Sequence, residues 1–237
     1  MNLTIHDYMI LALFPFAAAG MVTAGPPAIM HFALILGTAI LSDFLINYFL
    51  HKEKTIPKSA IITGFIIALI LSPSSQLWMQ AFIPLLAIVS KHLIKWKTNL
   101  FNPAALALLA GGLLGAFPSW WAVSPVVWPL GLFISWKIRK LEISLSFLVA
   151  YFALFSIAGK IDPLMEIGSS AAIFLAFFMA TEPKTTPSSK NGKIIFGILL
   201  AVISLIVAIL LPSTDFLLAS LLICNIGKNH MNNLKIG

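Results

Sequence analysis

Apolar runs alternate with short polar joints along the whole chain. Ten apolar segments can be drawn, at 7–24, 28–50, 58–72, 76–94, 101–115, 118–137, 141–159, 165–181, 193–211 and 213–227. A helix in lipid satisfies its own backbone, so runs of this length and composition predict membrane helices. A straight span needs about 20 residues, and several of these segments are shorter. Segment three is bounded by Pro57 and Pro73. Segment five opens at Asn102-Pro103 and closes on Gly111-Gly112 and Gly115, and segment ten follows Pro212. Proline suits the first turn of a helix and glycine its end, so these three predict short or broken helices.

Charge gives the segments a direction. The joints after even-numbered segments hold 14 of the 15 Lys and Arg residues, and the joints after odd-numbered segments hold only Lys160. A split of this kind predicts cytoplasmic even-numbered joints and cytoplasmic termini. Trp120, Trp121 and Trp128 cluster near the opposite face, as interfacial aromatics do. Ten segments divide into five and five, and five is odd, so two related halves, 1–116 and 117–237, would lie inverted in the membrane. Ser59-Ala60-Ile61-Ile62-Thr63-Gly64 leads through an apolar run to Ser72-Pro73-Ser74. Ser169-Ser170-Ala171-Ala172 leads likewise to Thr181-Glu182-Pro183. Both are third segments of their halves, and Phe101-Asn102-Pro103 and Thr214-Asp215-Phe216 open the fifth.

Composition narrows the class. With 237 residues, 59% of them hydrophobic, and a mean hydropathy of +0.99, the chain is an all-α polytopic membrane protein with no room for a sizeable extramembrane domain. Its surroundings are the lipid bilayer. The net charge of +7 then reports topology and no nucleic-acid partner. The single cysteine, Cys224, excludes internal disulfides and a Cys-rich metal or iron–sulfur cage built by this chain alone. It reads as a small buried hydrophobe. Residues 1–24 carry Asp7 and no Lys or Arg, the wrong flank for a cleavable signal, and are expected to form the first membrane helix.

Few residues could carry chemistry. Asp43 lies inside segment two, where a carboxylate is expensive without a partner or water. It reads either as part of an ion pathway or as an acid snorkelling towards Lys52 and Lys54. Glu166 and Asp215 start segments eight and ten, where capping suits them. Lys91-His92 ends segment four. These two residues, with the open N–H groups after Pro103, would serve an anionic group such as a phosphate, although basic residues at such a helix end are usually anchors. His31 reads as a core histidine. No His or Cys spacing suggests haem or a metal site, and there is no Gly-rich phosphate loop and no Ser-His-Asp set.

Three blocks stand in order: Ser59-Ala60-Ile61-Ile62-Thr63-Gly64; Lys91-His92 with Phe101-Asn102-Pro103-Ala104-Ala105; and Phe178-Met179-Ala180-Thr181-Glu182-Pro183 with Thr186-Pro187 and Gly192. Together they resemble the family of membrane subunits that includes NqrB, of the sodium-pumping NADH:quinone reductase (Nqr), and RnfD, of the Rnf electron transport complex. The resemblance runs from about 40 to 227, and Asp43 matches the membrane acid of the family's second helix. It implies a urea-transporter-like fold of ten helices in two inverted halves, within a redox-driven cation pump. It also implies a flavin, FMN or riboflavin. The family's flavin is typically esterified to the last threonine of a Ser/Thr-Gly-Ala-Thr motif between the fifth and sixth helices. This joint is only Gly115-Ala116-Phe117-Pro118-Ser119, and the motif occurs nowhere in the chain. The expectation is therefore noncovalent flavin, with Thr63, Lys91, His92, Asn102, Thr181 and Glu182 as candidate contacts. The expected partners are other subunits of a membrane redox complex, including a flavin/NAD or iron–sulfur reductase, seated on the joints 51–58 and 181–193. The competing reading keeps the inverted fold without redox chemistry, as a transporter or channel for a small solute or cation.

Overall fold

The computed structural model describes residues 3–52, 57–96, 98–116, 118–160 and 171–233. Lys54, Lys97, Lys235, Glu166, Ser169 and Ser170 lie outside the described residues. Helices dominate: α1 Ile5–Ala24, α2 Pro26–Ile46, α3 Lys58–Ile70, α4 Leu77–Leu93, α5 Pro103–Leu113, α6 Val127–Lys137, α7 Leu141–Ile157, α8 Ala171–Phe174, α9 Lys190–Leu210, α10 Phe216–Ile226 and α11 Lys228–Asn233. Two π-helical turns extend α2 (Asn47–His51) and α8 (Leu175–Met179), and a two-residue ladder pairs β1 Lys95–Trp96 with β2 Thr98–Asn99. Among the described residues, three helical stretches are long and apolar enough to cross a membrane, at Ile5–Ala24, Pro26–Leu50 and Lys190–Leu210, while α3, α4, α5, α7 and α10 are shorter apolar helices.

The chain divides into two compact units, residues 1–95 with 106–122 and residues 96–105 with 123–237. In the first, α1 starts on a capping box in which Thr4 and Asp7 satisfy each other's backbone N–H groups. Gly25, at φ 69°, turns the chain directly into α2, whose first residue is Pro26. Both α1 and α2 pack on α3, and α2 also packs on α4. Helix α3 is apolar all round, and Thr63 through Leu71 are buried without a break, the pattern of an enclosed helix.

An enclosed helix end needs partners for its last carbonyls. The Ile70 carbonyl accepts from the Ser119 and Trp120 N–H groups at 2.8 and 3.0 Å, and the Ala68 carbonyl accepts from Trp121 Nε1 at 2.8 Å. These bonds explain why residues 118–126 are irregular and α6 begins only at Val127, where the apolar run predicted a helix from 118. They also revise the role of Trp121, whose indole N–H is bound inside the protein.

The second unit repeats the packing pattern. Helices α6 and α7 pack on the α8–π stretch, and α7 packs along α9. Ala172 through Thr181 are buried throughout. Gly131 of α6 faces Phe177, where a Cβ would lie 2.4 Å from the ring. Between α9 and α10, the hydroxyls of Ser204 and Ser220 meet at 2.8 Å. Helix α10 starts on Asp215, whose carboxylate accepts from the Leu218 N–H at 2.9 Å, the capping role expected of it. The π turns fall at the ends of segments two and eight, and α11 lies beyond segment ten.

Candidate functional site

Two polar clusters stand out, one in each unit. In the first, Asp43 of α2 is 1% exposed. Its Oδ1 takes Lys91 Nζ at 2.8 Å and His92 Nε2 at 2.7 Å, both from the end of α4. Lys91 Nζ also donates to Ser59 Oγ at 2.8 Å, and Thr63 Oγ1 donates to the Ser59 carbonyl at 3.0 Å, one turn on. Asp43, Thr63, Lys91 and His92 are thus gathered around the first turns of α3. Asp43 is buried and pairs with these groups on α4, where the snorkelling reading turned it outwards towards the cytoplasmic end. An ammonium and an imidazole on one carboxylate oxygen let a charged group stay inside without isolation. The hydroxyl of Ser59, read beforehand only as part of a motif, completes the cluster.

The second cluster fixes the stretch after the α8–π segment. Thr181 Oγ1 donates to the Phe177 carbonyl at 2.6 Å, and the Glu182 carbonyl accepts from Thr186 Oγ1 at 2.7 Å. Beyond it, four successive carbonyls are held by side chains from elsewhere in the unit. Lys228 Nζ donates to the Lys184 carbonyl at 2.6 Å, and Asn225 Nδ2 to the Thr185 carbonyl at 3.0 Å. Lys140 Nζ donates to the Thr186 and Pro187 carbonyls and to Thr186 Oγ1. The Asn232 carboxamide oxygen then accepts from the N–H groups of Ser188 and Ser189 at 2.8 and 3.1 Å. Asn102 caps α5, its Oδ1 accepting from the Ala105 N–H at 3.0 Å. Its own N–H donates to Asn225 Oδ1 at 2.9 Å and its Nδ2 to the Met179 carbonyl at 3.4 Å.

Electrostatically this cluster is cationic. Lys140, Lys193 and Lys228 are all buried. Lys193 Nζ donates to the Arg139 carbonyl at 2.6 Å and to Glu142 Oε2 at 3.2 Å. Burial, with the Lys193 charge nearby, pulls the Lys140 ammonium down to about 8. Burial also lowers Lys228, against the opposing pull of Glu182. These lysines resemble ordinary topology signals in the sequence. The only hint of their burial is how few acids accompany them. Asn225 left a clearer signal, as a carboxamide inside an apolar helix.

The candidate flavin contacts therefore fall into two groups, Thr63, Lys91 and His92 in one unit and Asn102, Thr181 and Glu182 in the other. As they stand, most of their polar atoms are engaged within the chain. Lys91 and His92 hold Asp43, and the polar atoms of Asn102 and the Thr181 hydroxyl are engaged with the chain itself. Likewise, the Lys91-His92 pair holds the chain's own carboxylate in place of an external anion, and the Ala105 N–H belongs to the Asn102 cap. Among the described residues no group of His, Cys, Asp and Glu could hold a metal ion, and Cys224 is buried.

The profile of the NQR2, RnfD, RnfE family matches residues 3–128 and 109–235, nearly the whole chain. The chain belongs to the NQR2, RnfD, RnfE family. It is similar to a Methanosarcina acetivorans protein named as the D-type subunit of an ion-translocating oxidoreductase complex, at 29% identity over 231 residues, covering 83% of this chain and 77% of the relative. A Stutzerimonas stutzeri protein of the same name is 25% identical over 279 residues, covering 81% and 78%. A third, from Actinobacillus succinogenes, is 33% identical over 114 residues, covering 45% and 31%. The three blocks quoted from the sequence lie within the residues that the NQR2, RnfD, RnfE profile covers, and they hold the core of both polar clusters.

Proposed function

We propose that this chain is a membrane subunit of a redox-driven, ion-translocating electron transport complex. The observation that carries the reading is the family match along both halves of the chain, at 3–128 and 109–235, with relatives named as subunits of an ion-translocating oxidoreductase complex. In this reading it works with other subunits, among them a flavin/NAD or iron–sulfur reductase. It lies in the inner or plasma membrane with both termini cytoplasmic. Ten segments form two inverted five-helix halves; the charge split and the matching packing pattern inside each unit support that arrangement.

The chain also binds flavin noncovalently and passes electrons with its reductase partner. Support for this part is the motif resemblance alone. A flavin contact at any of the candidates Thr63, Lys91, His92, Asn102, Thr181 or Glu182 would have to take over bonds made within the chain. Asp43 belongs to the ion pathway in this reading, and its burial beside Lys91 and His92 supports a role as a controlled charge.

The deciding experiment is the absorption spectrum of the purified protein, with flavin released by heat and quantified. Near-stoichiometric flavin is the expected result. Lys91→Ala and Thr181→Ala should each lower flavin retention; full retention in both moves the flavin to other residues. A colourless protein that fluxes a solute or cation in liposomes favours the transporter or channel reading.

A further inference from the structure

His31 lies outside both polar clusters. It is buried in α2, with Nε2 3.0 Å from the Ala68 carbonyl oxygen and Nδ1 3.0 Å from Oε1 of Gln80 in α4. A carbonyl oxygen can only accept. The Gln80 carboxamide is not free to turn its nitrogen to the ring. That nitrogen donates to the Pro73 and Ser75 carbonyls at 3.1 and 2.7 Å, so a reversed amide would set oxygen against two oxygens. Both ring nitrogens of His31 therefore face acceptors. A neutral imidazole has one N–H, and only the imidazolium has two.

We propose that His31 is a proton-binding site, held as the imidazolium between the end of α3 and Gln80. The ligand is a single proton. Its acceptors are the Ala68 carbonyl near the end of α3, which also accepts from Trp121 Nε1, and the carboxamide oxygen of Gln80. The carbonyl end of α3 carries the negative pole of the helix dipole, which favours a cation there. Burial opposes the charge; the two acceptors and the Leu71 backbone offset part of that cost. The ring is also flanked by Phe32 and Trp121, at centroid distances of 5.9 and 6.0 Å, and by the Leu71 backbone. Among the described residues, no charged or titratable side chain faces it from α2, α3, α4 or the 119–122 segment.

The proton also controls a joint. Without it, one ring nitrogen meets an oxygen at 3.0 Å with no hydrogen between them. The Gln80 amide relieves that contact by reversing, and in doing so it releases the Pro73 and Ser75 carbonyls. Proton occupancy thus sets whether the turn between α3 and α4 is tied to α2. The site is independent of flavin.

The test is solid-state NMR of protein in lipid bilayers at neutral pH, with isotope-labelled histidine reporting the ring nitrogens. The chain has five histidines, and His31 is assigned by its loss in His31→Gln. If that variant does not fold, His31 is the resonance that moves in Gln80→Leu. Two protonated ring nitrogens are expected in the natural protein, and one bare nitrogen in Gln80→Leu at the same pH. A bare ring nitrogen on His31 in the natural protein overturns the proposal. So does a Gln80→Leu spectrum in which no histidine changes.

Discussion

Lys140 shows how far a single residue can depart from its sequence reading. Counted among cations at a helix joint, it marks a cytoplasmic face. In the fold its ammonium is buried and holds the Thr186 and Pro187 carbonyls, with titration at about 8 against an ordinary 10.5. Between those two values the unfolded chain binds more protons than the folded one. The contribution of Lys140 to stability therefore rises with pH across that window, with a slope of up to about 1.4 kcal/mol per pH unit. Lys140→Met should abolish the slope and leave two carbonyls unsatisfied, costing about 1–3 kcal/mol. Reversible unfolding in detergent at a series of pH values measures both, and an unchanged slope in the variant assigns the titration to another group. Residue identity alone could not disclose this, because burial of a lysine depends on carbonyls brought from distant segments. Asp43 was legible, since a carboxylate inside an apolar run demands a partner, although its partners on α4 were not.

At the level of elements, α1 to α10 lie along the apolar runs of the sequence, and the run bounded by Pro57 and Pro73 read as a short or broken helix. Boundaries were less legible. Residues 118–126 are apolar enough to read as helix, yet they serve the end of α3, a tertiary demand that no local pattern records. The π turns after α2 and α8 likewise carry no composition signal of their own. Close approach is legible only through glycine, and only once the neighbours are known. At Gly197 of α9 a Cβ would lie 2.0 Å from Ser146 Oγ and 2.7 Å from the Ile143 carbonyl, whereas at Gly37 of α2 nothing lies within 4 Å. Gly197→Ala should destabilise the protein by about 1–3 kcal/mol through forced separation of α7 and α9. Gly37→Ala should leave stability unchanged or raise it by up to about 1 kcal/mol through helix propensity. Unfolding midpoints of the two variants, compared side by side, test whether packing or propensity governs these helices.

For the whole molecule, charge placement carries the clearest expectation. With 14 of 15 basic residues on one set of joints, both ends of the chain should face the cytoplasm. Reporter fusions at each terminus check this, and a reporter active outside the cytoplasm at either end would break the even count. The enclosed α3 bears on how such a molecule is made. Its 13 residues reach only about 20 Å, too short for an ordinary span. The helices that wrap it, α1 and α2, precede it in the chain, as α6 and α7 precede the α8–π segment. Each enclosed segment can therefore leave the ribosome and dock at once into a groove already inserted in the bilayer. The walls of each groove are thus made in order of synthesis, and the last carbonyls of α3 are closed later, when Ser119, Trp120 and Trp121 reach them.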